Sequence, residues 1–448
     1  MKNDFYCLDV KIKNKDICEE KLHSHLYISN SSIEIKIYID STNDIDRKFM
    51  VWNSSNQLSD FVNEQIEAEI SEHETILQKI DISNSRIKSI KSKEYENDKE
   101  YFTIYLDKIL VYKKLNFNEN IGTAKVFLNE DGFDLVKNFY SYFTMNAREG
   151  NFGISRMNGM NSFYKIGEIK FRPEFEYNYS DSKNNKDFKI EKIPIIKFIF
   201  PETIEDKKLI EQIDIVCNIN SFYQGNLIDY YRITAFKSNS ILSMTKIIKE
   251  SSGLKVNSIN FFLNIKGIDN FLKTNWSKNY LVNSKKIDKA IENYIHSRFV
   301  DINSRFLMLY NIIEILMANK SNSNDKFELI VDDLEKDKIY KRALTELKKT
   351  IAKKDHIDFE KKWNNLQKKI AFKPMKSPLV EFLKENNIEN KDLKIDIDKI
   401  KDIRDKITHG SVKSLKSSII EDANYDLYRI SIKLILNQLG LNTFWETK

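Results

Sequence analysis

This chain of 448 residues is poor in the residues that staple, kink or loosen a backbone: three cysteines, five prolines and eleven glycines. Cys7, Cys18 and Cys217 form no C-x-x-C pair, which excludes a zinc ribbon and a thioredoxin-like motif. So few thiols, in an odd number, fit a reducing cytosol. Scarce Gly and Pro exclude collagen-like, linker-rich and low-complexity chains. No run of about 18 apolar residues is present, so no membrane-spanning helix is expected. The opening MKNDFYCLDVKIKNKD lacks the apolar core of a secretion signal, and the expected location is the cytoplasm. A dense basic block is missing too. Lys and Arg (72) exceed Asp and Glu (66) by six, interleaved along the chain, a balance that does not by itself call for nucleic acid. Gly150, Gly153, Gly159 and Gly167 fit neither a P-loop nor a dinucleotide fingerprint and read as turns between strands. Neither a Ser-His-Asp order nor a G-x-S-x-G elbow can be argued.

What is present is core material. Hydrophobic residues make up 41%, with 28 Phe and 21 Tyr, too many aromatics for a disordered chain. The length allows two or three domains. Short alternating segments recur at 31–40, 100–113, 164–177 and 193–200 and predict half-buried strands. Helices are expected among them at 56–80 and 131–146, and a polar surface loop at 180–189. From Ser284 onward the periodicity turns helical. One helix is expected over 284–319, with Ile287, Ile291, Ile295, Phe299, Ile302, Phe306, Leu309, Ile313 and Leu316 as its stripe and Asn283 or Ser284 as its cap. That stripe reads as core or as the seam of a dimer. Further helices are expected at 326–353, 356–371, 378–387, 394–409 and 421–439, the last stopped by Gly440. The expected fold class is α+β: a β-rich mixed domain over 1–275, then an all-α bundle over 284–448.

One constellation carries chemistry: Ile403-Arg404-Asp405-Lys406-Ile407-Thr408-His409-Gly410, at the end of a helix striped by Ile397, Ile400, Ile403 and Ile407. An ideal helix turns His409 about 140° away from Arg404. Gly410 lets the chain leave helical geometry at or just before it, and a His at a helix C-terminus is favoured as imidazolium. Cleaving RNA without a metal needs a group to deprotonate the 2′-OH, charge to steady the phosphoryl oxygens, and a proton for the 5′-oxygen. Histidine moves protons near neutrality, and arginine holds two phosphate oxygens while staying charged. One copy of each is sparse, and a two-fold dimer would bring two copies to one cleft.

The run Arg404 to His409 resembles the R-x4-6-H signature of HEPN ribonucleases, and residues 304–316, SRFLMLYNIIEIL, resemble the Glu-bearing core helix of that family. The ApeA-like branch, with a large domain ahead of the helical one, is the most similar; the resemblance covers about 280–440. It implies a HEPN helical bundle, an obligate homodimer with a shared site, and cleavage of RNA, tRNA among the candidates, to 2′,3′-cyclic phosphate and 5′-hydroxyl ends. It also implies an abortive-infection role against phage, released when a phage-derived or cellular trigger engages residues 1–275. No cofactor and no metal is implied. Arg404 and His409 are then catalytic. Asp405 would orient His409 or an arginine, or be an ordinary surface acid, and Lys406 would add positive potential. Glu314 interrupts an apolar helix, so if buried it needs a partner, with Arg404 the candidate. Two rival readings share these residues: a non-catalytic HEPN module that binds nucleotide or nucleic acid, and a toxin held by a separate antitoxin. Elsewhere, Arg148, Arg156 and Arg172 with Phe152, Phe163 and Phe171 are a candidate surface for RNA or for the trigger. His23 and His25 lack a third ligand at a clear spacing, and His296 and His356 read as surface or packing residues.

Overall fold

The computed structural model describes residues 4–12, 21–29, 31–39, 66–70, 77–81, 86–96, 99–114, 121–136, 141–146, 151–156, 163–181, 188–248, 259, 263, 267–317, 333–370, 376–389, 391, 393–410 and 415–442. The chain is α+β and divides into two compact units. One holds Met1–Ser252 with Lys266–Ser277, the other Gly253–Ile265 with Lys278–Lys448. The break at 277/278 falls inside the expected 275–283 boundary. The stretch 253–265, assigned by sequence to the first domain, belongs to the second unit instead, where Ile259 and Leu263 are buried.

In the first unit, β1 (Asp4–Ile12), β2 (Lys21–Ile28), β3 (Ile33–Ile39), β4 (Ile66–Ile70), β6 (Ile87–Glu96) and β7 (Lys99–Leu106) form a six-stranded sheet in the order β4-β1-β2-β3-β7-β6. A second, eight-stranded sheet has the order β12-β13-β14-β9-β15-β16-β8-β5. Its strands are β5 (Leu77–Asp81), β8 (Lys108–Lys114), β9 (Ile121–Leu128), β12 (Tyr164–Ile166), β13 (Ile169–Asp181), β14 (Phe188–Pro201), β15 (Tyr230–Lys237) and β16 (Ser240–Lys246). A separate hairpin pairs β10 (Ser141–Asn146) with β11 (Asn151–Arg156). The unit's helices are α1 (Asp131–Val136), α2 (Asp206–Gln224) and α3 (Ile268–Leu272). Among the described residues the strand pairs are antiparallel, in keeping with the alternating burial along the strands. On β9, Gly122, Ala124, Val126 and Leu128 point inward. A Cβ at Gly122 would lie 2.2 Å from the buried Phe200 ring, so any larger residue would force that ring to move.

Three expectations fail here for one reason. Residues 66–70 and 77–81 are strands, not parts of a 56–80 helix, and of the expected 131–146 helix 131–136 is helical and 141–146 is a strand, with 137–140 outside the described set. IEAEI has Ile and Ala at positions that suit period 2 as well as period 3.6, and pairing with β1 decides between them. Residues 56–65 and 71–76 lie outside the described set. The 180–189 loop is narrower than expected, since Ser180 pairs with Lys189 and Asp181 with Phe188.

The second unit is helical. It takes most of α4 (Trp276–Val282), then α5 (Ser284–His296), α6 (Ile302–Met317), α7 (Asp333–Lys348), α8 (His356–Ile370), α9 (Lys376–Glu385), α10 (Ile397–Thr408) and α11 (Ser417–Gln438). The single helix expected over 284–319 is two. Asp301 breaks it by capping α6: its carboxylate accepts from the Asn303 and Ser304 amides (2.9 and 3.2 Å) and from the Ser304 hydroxyl (2.6 Å). Phe299, placed on the stripe by sequence, sits in the break and is 40% exposed. Asn283 is the N-cap of α5 but makes no side-chain cap bond. Gly440 follows α11 with φ +73°, the left-handed turn expected of it. α6 is the central helix and packs against α5, α10 and α11. Asn424 Nδ2 donates to the Ile302 carbonyl (3.0 Å) and Ser431 Oγ to that of Leu309 (3.5 Å). Both bonds span 122 residues, so α6 and α11 run parallel.

Candidate active site

α10 is positioned at its start. The Asp396 side chain caps it by accepting from the Asp398 amide (3.0 Å), and the buried carboxylate of Asp426 on α11 accepts from the Ile395 amide (2.8 Å). Ile397, Ile400 and Ile403 then bury one face of α10. That leaves Arg404 at the edge of the stripe, beside α6.

The Arg404 guanidinium is held from both ends. Nη2 lies 3.5 Å from Glu314 Oε1 on α6, and Nη1 lies 3.2 Å from Asp405 Oδ1. The side chains of Arg404 and Glu314 are 35% and 33% exposed, so the ion pair is partly screened and worth roughly 0–1 kcal/mol. Glu314 is thus half-buried and paired with the expected partner. Beneath them, Tyr310 sits one turn before Glu314, with its ring centroid 5.8 Å from Arg404 Cζ. Burial first, and then the Glu314 charge, push the Tyr310 hydroxyl up to about 12, so it stays a neutral hydrogen-bonding group. Tyr310 was not among the candidates read from the sequence; its spacing of four from Glu314 was the available signal.

His409 is exposed and is the C-cap residue of α10, with φ −91° and ψ 9°. Its amide still donates to the Asp405 carbonyl (2.9 Å), so helical geometry persists through His409 and the chain turns only at Gly410, φ +73°. Gly410 therefore does not swing the imidazole towards Arg404. The two stay about 140° apart around the axis, and among the described residues no hydrogen bond joins them. Lys406 is exposed on the same turn. Asp405 engages Arg404 of its own helix.

The other candidates fare differently. Arg172 is a sheet strut rather than a free phosphate ligand: it is 8% exposed, paired with Glu174 at 2.6 Å and set over the Phe163 ring at 4.4 Å. Phe171 is fully buried. Arg148 lies outside the described residues, and Arg156 is placed on β11 by its backbone alone, opposite Ser141. His25 Nδ1 lies 3.0 Å from the Tyr38 hydroxyl. Among the described residues no three His, Cys, Asp or Glu side chains gather as a metal-binding group. His356 Nε2 contacts the Ile351 carbonyl at 3.0 Å, and His296 is exposed at the end of α5. Among the described helices none is long and apolar enough to cross a membrane.

A buried knot was not foreseen. Arg298, between α5 and α6, donates to the hydroxyls of Tyr294 (2.6 Å) and Tyr428 (2.7 Å), which lie 2.8 Å apart. It ties α5 to α11 at the level where Asp301 starts α6. No protein-family model, curated protein or solved structure matches this chain.

Proposed function

We propose that the helical unit is half of a metal-independent endoribonuclease of the HEPN type, completed by a second copy of the chain. Arg404 would bind the scissile phosphate and steady the charge that builds on its oxygens. His409 would move the proton, taking it from the 2′-OH or giving it to the 5′-oxygen. Products would carry 2′,3′-cyclic phosphate and 5′-hydroxyl ends. The observation that supports this reading best is the divided geometry of α10: a backed guanidinium on one side and an exposed imidazole at its tip. One chain presents both groups but does not converge them, and a two-fold partner could. The two carboxylates on Arg404 suit a resting enzyme, since an incoming phosphate must displace at least one of them. That fits an abortive-infection effector that stays silent until the first unit meets a trigger.

Incubation of purified wild type, Arg404→Ala and His409→Ala with total RNA in EDTA tests the reading, beside expression of all three in growing cells. Wild type should release cyclic-phosphate ends and slow growth. Each variant should lose about 100-fold or more of the cleavage. Equal behaviour of all three would favour a non-catalytic module, and cleavage that needs added divalent metal would contradict the mechanism.

A further inference from the structure

The six-stranded sheet has two unlike faces. One carries Leu26, Ile28, Ile33, Ile35, Ile37, Ile104 and Leu106, all buried. Tyr6 shares that face and lies under Lys113 Nζ of the eight-stranded sheet at 5.1 Å, so this is the inner face. The opposite face of the same strands carries His23, His25 and Tyr27 on β2, Lys36 and Tyr38 on β3, and Tyr101 on β7. Register sets them side by side: His25 opposite Lys36, and Tyr38 opposite Tyr101.

The rings form a continuous patch. His25 and Tyr38 centroids are 4.8 Å apart, His23 and His25 5.0 Å, and Tyr38 and Tyr101 5.6 Å. At its centre Lys36 Nζ stands 5.1 Å from the Tyr27 ring and 4.8 Å from the Tyr101 ring. A second lysine, Lys91 on β6, stands 5.3 Å from the ring of Tyr105. An open cavity of about 490 Å³ adjoins the patch, lined by Tyr27, Ser29, Ser32, Glu34 and Lys36 among others. Packing alone would call for the Ile and Leu of the inner face, and solubility alone for Lys, Glu and Thr. Tyr101 is buried, but the His23, His25, Tyr27 and Tyr38 rings and Lys36 are left wholly or partly exposed, an arrangement that suits neither purpose but does suit bases and phosphates.

We infer that this face binds a short single strand of nucleic acid, with bases against the Tyr27, Tyr38 and His23 rings and phosphates at Lys36 and Lys91. The rings cross three strands and four residue steps of β2, from His23 to Tyr27, about 10 Å by about 13 Å, room for two or three nucleotides. The face is independent of the α10 residues. Stacking and phosphate contact ignore the sugar, so RNA and DNA strands should bind alike. Bases paired in a duplex cannot reach the rings.

The test uses full-length protein carrying Arg404→Ala and His409→Ala, so that no probe is cut. Its failure then leaves the cleavage assay above untouched. Fluorescence anisotropy with labelled ten-nucleotide oligo-uridylate and oligo-thymidylate should give affinities within about threefold of each other, and a ten-base-pair duplex at least about tenfold weaker binding. Two phosphate contacts predict a log–log salt slope of about −1.4. Lys36→Glu and Tyr27→Ala should each weaken binding about tenfold or more, while Tyr27→Phe keeps it. Ultraviolet cross-linking with peptide mapping reads the site without substitution, and adducts at Tyr27 or Tyr38 are expected. No oligonucleotide binding, duplex bound as tightly as single strand, or adducts confined outside β2, β3 and β7 would each overturn the inference.

Discussion

At the scale of the residue, the decisive contacts are those on Arg404. Glu314 reaches it from another helix, whereas Asp405 is its neighbour on α10; under the proposed function Glu314 would aim the guanidinium and Asp405 would compete with phosphate for Nη1. The two carboxylates should therefore separate in kinetics. Glu314→Ala is expected to lower kcat for RNA cleavage about tenfold, with partial recovery in Glu314→Gln, which keeps the polar contact. Asp405→Asn should lower KM and leave kcat nearly unchanged. Steady-state cleavage of one defined RNA by the three variants decides the matter, and equal effects on kcat would refute the division of roles. A second residue controls the start of α10. Asp426 is fully buried with one oxygen lacking a hydrogen-bond partner, and burial raises its pKa. A raised folded-state value means the proton is bound more tightly folded than unfolded. The stabilisation from Asp426 is thus full below the unfolded carboxyl value and is lost as pH rises through the folded one. Asp426→Asn, which keeps an acceptor for the Ile395 amide, should add about 1 kcal/mol at pH 7 and flatten the acid side of the thermal-stability profile. A Tm measured against pH for both proteins checks the sign.

At the scale of the element, the break between α5 and α6 shows what periodicity misses. The apolar spacings run unbroken from Ile287 to Leu316, so a hydrophobic pattern reads one helix. Asp301-Ile302-Asn303-Ser304 carries the cap, and the Asp301 carboxylate collects three donors there. Asp301→Ala is expected to lower the urea unfolding midpoint of the helical unit by removing this cap. Capping by Asp or Ser is a local signal and was legible, but the stripe outweighed it. The strands at 66–70 and 77–81 are a different kind of miss. Nothing local chooses period 2 for IEAEI; a place beside β1 does. The segments within the strands expected at 31–40, 164–177 and 193–200 alternated strongly enough to need no such help.

At the scale of the whole molecule, the shared-site reading makes activity depend on association. If the cleft needs two copies of α10, the rate per chain should fall on dilution and follow the dimer fraction measured by sedimentation velocity. A rate per chain that stays constant well below the dimer dissociation constant would sink the shared site. The β-rich unit keeps a core of its own, with Phe171, Phe198, Phe200 and Phe222 fully buried.

The sequence by itself determined the α+β class, a change in texture between 275 and 284, most of the helices, and the choice of Arg404, His409 and Glu314 as candidates. Composition, strong periodicity and side-chain chemistry are local properties, and each is present in a short window. Only the tertiary structure decided the rest. It set Tyr310 beneath Arg404, kept His409 on the helical path, covered Arg172 with Glu174 and Phe163, and gathered His23, Tyr27, Lys36, Tyr38 and Tyr101 on one face. Those outcomes depend on register and on which helix lies beside which. Two of them, Glu314 to Arg404 and Tyr38 to Tyr101, join residues 90 and 63 positions apart, and no pattern within a short window contains those.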